Sequence, residues 1–138
     1  MAKDYIQTDI TSVQQSVEQA NGLANAHYID PAVFAEESEA VLKATWAGLA
    51  VGADVPNPGD AKPIQFLGMP LLLIRDKDGD LRVFENICRH RGMQLVHEAK
   101  TIEGAIRCPY HSWCYSTEGK LVSTPHVGGA GHNTHPSI

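Results

Sequence analysis

Apolar positions follow one period up to about residue 45 and another beyond it. Ile10, Val13, Val17 and Ala20 lie three, four and three apart, the spacing of one helix face, and Asn21-Gly22 supplies a stop. The rest of that stretch is rich in Gln and Ser, so this helix is expected to cover a surface rather than build a core. Asp30 can cap a second helix, with Pro31 at its first position. Glu36, Glu37 and Glu39 in its first half suit the helix dipole, and the helix is predicted to run to about Thr45.

From Trp46 onward Gly and Pro become frequent and short apolar runs lie between them. Ile64–Leu67, Leu71–Ile74 and Leu81–Phe84 read as strands. Asp76-Lys77-Asp78-Gly79 joins the last two as a hairpin, because glycine accepts the positive φ such turns need. Ala105–Arg107, Trp113–Tyr115 and Leu121–Ser123 are further strand candidates, with Thr117-Glu118-Gly119-Lys120 as a turn. The pattern predicts a mainly β chain: two N-terminal helices over residues 1–45, then an antiparallel β domain over residues 46–138.

Composition narrows the function classes. A net charge of −5 with no Lys/Arg stripe argues against a nucleic-acid partner. The longest apolar run, Met69–Ile74, falls far short of the roughly 20 residues of a membrane span, so no membrane is expected. Met1-Ala2-Lys3-Asp4-Tyr5 lacks the pattern of a signal peptide, and a cytoplasmic location is expected. Three cysteines do not make a disulfide scaffold. Two of them, Cys88 and Cys108, have a histidine two or three positions later, and Cys114 has none that close.

Those two stretches carry the chemistry. Cys88-Arg89-His90 and Cys108-Pro109-Tyr110-His111 each offer one thiolate and one imidazole, with seventeen residues between His90 and Cys108. Zinc takes two Cys and two His on one atom. A [2Fe–2S] cluster takes two Cys on one iron and two His on the other. Zinc sites usually pair like ligands at gaps of about two to four residues. Here each stretch mixes types, and Cys88 and His90 are one residue apart, which crowds a single atom. Two irons relieve that crowding, so Cys88 and Cys108 are assigned to one iron and His90 and His111 to the other. A structural zinc module stays as an alternative.

The motif C-x-H-x₁₇-C-x₂-H resembles the Rieske signature. Cys88-Arg89-His90-Arg91-Gly92 and Cys108-Pro109-Tyr110-His111-Ser112-Trp113 are similar to the Rieske domain of aromatic-ring-hydroxylating oxygenase α subunits. Tyr28-Ile29-Asp30-Pro31, Thr45-Trp46, Pro58-Gly59-Asp60 and Asp78-Gly79 resemble the N-terminal region of that family, so the likeness covers about residues 27–125. Ser112 departs from it, because the family commonly has Gly there. The resemblance implies a Rieske-type antiparallel β domain with an inserted cluster-binding subdomain, its loops at about residues 86–93 and 108–115.

It also implies a role. Electrons would come from a reductase or ferredoxin and pass to a mononuclear Fe(II) in a catalytic domain, of the same or a neighbouring α subunit. That domain is not expected in this chain, which alone would bind a cluster without oxygenating anything, as a monomer or weak oligomer. Respiratory Rieske proteins carry an extra cysteine in each loop, where Met93 and Tyr110 stand here, and a serine where Trp113 stands. Without that disulfide and that hydroxyl, a potential near the low end of the range is expected, roughly −150 mV. A free-standing Rieske ferredoxin is the alternative carrier, but the N-terminal helices favour the α-subunit reading.

The other candidates read as bystanders. Cys114 is expected in the core and His97 at the surface. His126, His132 and His135 sit in a Gly-rich tail with no Asp or Glu after Glu118, so the two-His-one-carboxylate set of a mononuclear iron is incomplete there. Arg89 and Arg91 offer either a docking rim or a solvated loop.

Overall fold

A computed structural model describes residues 10–133 of the chain. Their contacts fall into two units that divide between Ala47 and Gly48.

In the first unit the leading helix is shorter than its apolar stripe suggested. Among the described residues it is helical only over 10–13. The chain then turns back, with the Asn21 amide donating to the Ser12 carbonyl at 3.1 Å and the Ala20 amide to the Ser16 carbonyl at 2.8 Å. Val17, on the supposed buried stripe, is 93% exposed, so no burial repays the ordering of a longer helix. Ser16 also hydrogen-bonds the Glu18 carboxyl, a local alternative to the helix ladder.

A short helix α1 (Ala26–Ile29), not foreseen from the pattern, leads into α2 (Pro31–Glu37). Asp30 caps α2, accepting from the Ala32 amide at 2.8 Å, and Pro31 opens it. α2 does not continue to Thr45. It loosens into a π-helical turn, Ser38–Leu42. The Ser38 hydroxyl donates to the Phe34 carbonyl at 2.7 Å and the Thr45 hydroxyl to the Val41 carbonyl at 2.8 Å, which competes with the α ladder.

The second unit is antiparallel β. β1 (Asp60–Phe66), β2 (Met69–Arg75), β3 (Leu81–Glu85) and β4 (Lys100–Thr101) form one sheet in the order β3-β2-β1-β4. β5 (Ile106–Arg107), β6 (Cys114–Tyr115) and β7 (Leu121–Ser123) form a second. β1 ends one residue earlier than the apolar run suggests. Leu67 and Gly68 both take positive φ, 48° and 78°, and make the two-residue turn whose twist matches the paired strands.

The β2–β3 hairpin is closed from inside. Burial works against ionising Asp76, but its carboxylate accepts from Arg82 Nε at 2.6 Å and from the amides of Asp80 and Asp78. These bonds outweigh burial and hold its pKa low. β3 thereby leaves the hairpin in a fixed direction, toward the first cysteine loop.

The core joins the two sheets. Ala61, Leu72 and Ile74 of the first pack with Ile106 and Tyr115 of the second. Cys88, Leu95, Val96 and Cys108 complete the cluster, so both cysteine loops are rooted in it. Among the described residues no helix is long and apolar enough to cross a membrane.

Candidate metal centre

The two loops are the same backbone device built twice. Ile87 and Gln94 pair as an isolated bridge around Cys88–Met93. There the Cys88 amide donates to the Met93 carbonyl at 2.7 Å and the Gly92 amide to the Cys88 carbonyl at 3.0 Å. Arg107 and Cys114 pair across β5 and β6 around Cys108–Trp113. There the Cys108 amide donates to the Trp113 carbonyl at 2.8 Å and the Ser112 amide to the Cys108 carbonyl at 3.1 Å. The fifth residue is left-handed in both, Gly92 at φ 71° and Ser112 at φ 59°. That conformation suits glycine and costs serine about 1 kcal/mol.

Within these equal frames the histidines sit one place apart. His90 is third in its loop and His111 is fourth, which is why the spacings read C-x-H and C-x₂-H. Their rings nonetheless meet, with centroids 4.7 Å apart and planes at 69°. Cys88 and Cys108 are 1% and 2% exposed and lie in the core, while the histidines are half-buried. Sulfur thus lies on the inner side of the site and imidazole on the outer.

Nδ1 of His90 and Nδ1 of His111 are both buried without a hydrogen-bond partner. A buried polar atom left so is costly unless something else binds it. Burial, His90 and Arg91 each lower the His111 pKa, so its ring is held neutral, the form that ligates metal. No disulfide ties up Cys88, Cys108 or Cys114. Among the described residues no three His, Cys, Asp or Glu gather as one metal ion requires. Two buried thiols and two partnerless imidazole nitrogens fit a group that takes its ligands two and two.

Aromatic side chains from the second loop and β6 touch these residues. The Trp113 ring stacks on His90 at 4.6 Å with planes 10° apart. Tyr110 lies against His111 at 3.7 Å and 33°. The Tyr115 hydroxyl is 3.3 Å from Cys88 Sγ and accepts from the Arg89 amide at 3.0 Å. Either atom can donate in the Cys88 contact; with Cys88 as a thiolate, the form that ligates metal, the hydroxyl is the donor. Burial pushes the Tyr115 pKa up to about 12, with its bond to Cys88 adding to the shift. The sequence pattern marks Tyr115 only as a strand residue. The signal that could have singled it out is chemical: a buried Tyr needs a partner for its hydroxyl.

The bystanders fall elsewhere. Cys114 is buried at the start of β6 and its thiol donates to the Ser112 carbonyl at 3.2 Å. His97 is exposed. His126 and His132 are exposed in a loop closed by the His126 amide on the His132 carbonyl at 2.8 Å, and His135 lies outside the described residues. Arg89 reaches Glu85 at 4.0 Å, an exposed pair of little energetic weight. Arg91 lines a cleft of about 480 Å³ beside His90 and His111, together with Tyr110, Trp113 and His126.

The model of the Rieske [2Fe–2S] domain matches residues 45–133. This chain belongs to the Rieske [2Fe–2S] domain family. The family implies a [2Fe–2S] cluster, in agreement with the donors present. The Rieske domain is homologous to part of the glycine betaine monooxygenase oxygenase subunit of Chromohalobacter salexigens, with 32% identity over 74% of this chain and 23% of that one. A naphthalene 1,2-dioxygenase structure from Rhodococcus sp. superposes with a TM-score of 0.77 and 31% identity, covering 89% of this chain and 27% of that one. A quaternary ammonium Rieske monooxygenase, described with carnitine oxidation and inter-subunit electron transfer, superposes at 0.67 with 33% identity over 72% and 27%. The chain therefore spans about a quarter of the length of these relatives.

Proposed function

We propose that Cys88 and Cys108 hold one iron of the cluster and His90 and His111 the other, and that the domain passes single electrons. The observation that carries this reading is the pair of buried, partnerless Nδ1 atoms on His90 and His111, beside two core-rooted thiols. When bound, the cluster supplies a one-electron store. The chain's own residues do the rest. The core keeps water from the cysteines, burial holds His111 neutral, and the half-buried imidazole side offers a path to the surface at the cleft.

In this reading residues 1–45 form an N-terminal segment and residues 46–138 the Rieske domain of an oxygenase α subunit. The electron donor is a reductase or a ferredoxin. The acceptor is a mononuclear iron in a catalytic domain of the same or a neighbouring subunit. The family relationship and the length of the relatives support it. Three cysteines without a disulfide support a reducing, cytoplasmic setting. Among the described residues Tyr115 gives the one side-chain hydrogen bond to a proposed ligand sulfur, and Trp113 has no hydroxyl to add another. A potential near the low end of the Rieske range follows, roughly −150 mV.

The test is anaerobic purification followed by metal analysis and EPR of the reduced protein. Two irons per chain with a histidine-ligated [2Fe–2S] signal are expected, and His111→Ala is expected to lose that signal entirely. Stoichiometric zinc in place of iron, or an unchanged signal in His111→Ala, would refute the assignment.

A further inference from the structure

The second loop does more than supply two ligands. It places one aromatic ring against each histidine: Trp113 on His90 of the other loop, and Tyr110 on its own neighbour His111. No counterpart exists in the first loop. The residues in the frame positions of Tyr110 and Trp113 are His90 itself and Met93. The near-parallel Trp113–His90 geometry, 10° between planes at 4.6 Å, fixes the imidazole plane and covers one of its faces. With each Nδ1 taken as the ligating atom, only Nε2 is left to receive an orienting contact, and among the described residues neither imidazole makes a side-chain hydrogen bond that would set its rotation. Ligand histidines are commonly oriented by such second contacts.

We propose that Trp113 and Tyr110 are positioning residues, each setting the plane of one ligand histidine and shielding that face from water. This rests on the proposed assignment of His90 and His111 as ligands. Trp113 is half-buried and acts across the gap between the loops, so its loss frees His90 from the only ring that stacks on it among the described residues besides the edge of His111. Tyr110 is 53% exposed and borders the cleft, so its loss opens His111 to solvent without emptying the core. The two contacts are separable, because they come from different side chains on different rings.

The test uses the cluster-loaded protein and compares Trp113→Leu, Trp113→Phe, Tyr110→Leu and Tyr110→Phe. Each is read by reduced-state EPR, by nitrogen couplings of the two histidines in pulsed EPR, and by the rate at which an iron chelator bleaches the cluster. Ring contacts of this kind are worth about 0.5–1.5 kcal/mol, so bleaching in the Leu variants is expected to be about twofold to tenfold faster. The Phe variants are expected to stay near the parent rate. Trp113→Leu is expected to change one histidine nitrogen coupling and Tyr110→Leu the other. Parent-like couplings and bleaching rates in both Leu variants overturn the proposal. So does a Phe variant as impaired as its Leu partner. Should Trp113→Leu not fold, the exposed Tyr110 pair decides by the same criteria. A parent protein without a histidine-ligated signal instead sinks the ligand assignment itself.

Discussion

The first loop, Cys88–Met93, and the second, Cys108–Trp113, share a backbone and differ in what holds them. The first is anchored by polar contacts. Asn86 is fully buried: its Oδ1 accepts from the Val96 amide at 2.9 Å, its Nδ2 donates to the Val96 carbonyl at 2.6 Å, and its own amide donates to the Pro70 carbonyl at 2.8 Å. Its left-handed position is filled by Gly92, at no conformational cost, and its outer residues Arg89 and Arg91 are exposed. The second loop grows directly from paired strands and carries Tyr110 and Trp113, with Tyr115 just beyond in β6. It accepts a left-handed serine, whose carbonyl receives the Cys114 thiol. One loop is held by its surroundings; the other does the holding.

That contrast can be broken most sharply at the first loop's anchor. Asn86→Ala leaves the Val96 amide unmatched in the core, while the Val96 carbonyl keeps Gln94 Nε2 at 3.0 Å, and is expected to destabilise the domain by about 1–3 kcal/mol in urea unfolding. A loss under about 0.5 kcal/mol would mean that the first loop stands by itself. Next comes the tie between the loops. Tyr115→Phe removes the proton directed at Cys88 Sγ and is expected to lower the midpoint potential by roughly 40–90 mV, as fewer hydrogen bonds to sulfur disfavour the reduced state. An unchanged potential would show that the hydroxyl serves only the Arg89 amide.

The left-handed positions offer a reciprocal pair of smaller effects. Gly92→Ala is expected to cost about 1 kcal/mol, while Ser112→Gly is expected to gain about 0.5–1 kcal/mol, offset in part by the greater freedom of glycine in the unfolded chain. Thermal unfolding of the two variants should therefore move in opposite directions. The smallest effect is at Cys114. Cys114→Ser keeps a donor for the Ser112 carbonyl and is expected to retain the full iron content, and loss of iron in that variant would mean that a ligand has been misplaced.

Legibility in the sequence varied with how local the cause was. The Asp30 cap, the Asp76 hairpin and the run Leu121–Ser123 were readable because each depends on residues a few places apart. The first helix is shorter than its pattern predicts, since a stripe of apolar residues makes a helix only where something covers it, and Val17 is left exposed. β4 leaves no trace in the pattern because two residues carry no period, and their partners Asp60 and Ala61 lie about forty positions away. Leu67 reads as strand in the sequence because nothing in a leucine announces a positive φ of 48°.

The sequence by itself determined the chemistry: two thiols, two imidazoles and their spacing narrow the group to one that takes its ligands in pairs, and the surrounding strings resemble one family. Tertiary structure decided how that chemistry is held. That C-x-H and C-x₂-H are the same loop with the histidine one place over, that both Nδ1 atoms are buried, and that Trp113 and Tyr115 each attend a proposed ligand of the other loop show only once the two loops are folded together. Such contacts arise when residues some twenty-five positions apart are brought together, as Cys88 and Tyr115 are. The pairing of β5 with β6 and of β6 with β7 presents Trp113 and Tyr115 beside the first loop, which the spacing of residues along the chain does not reveal.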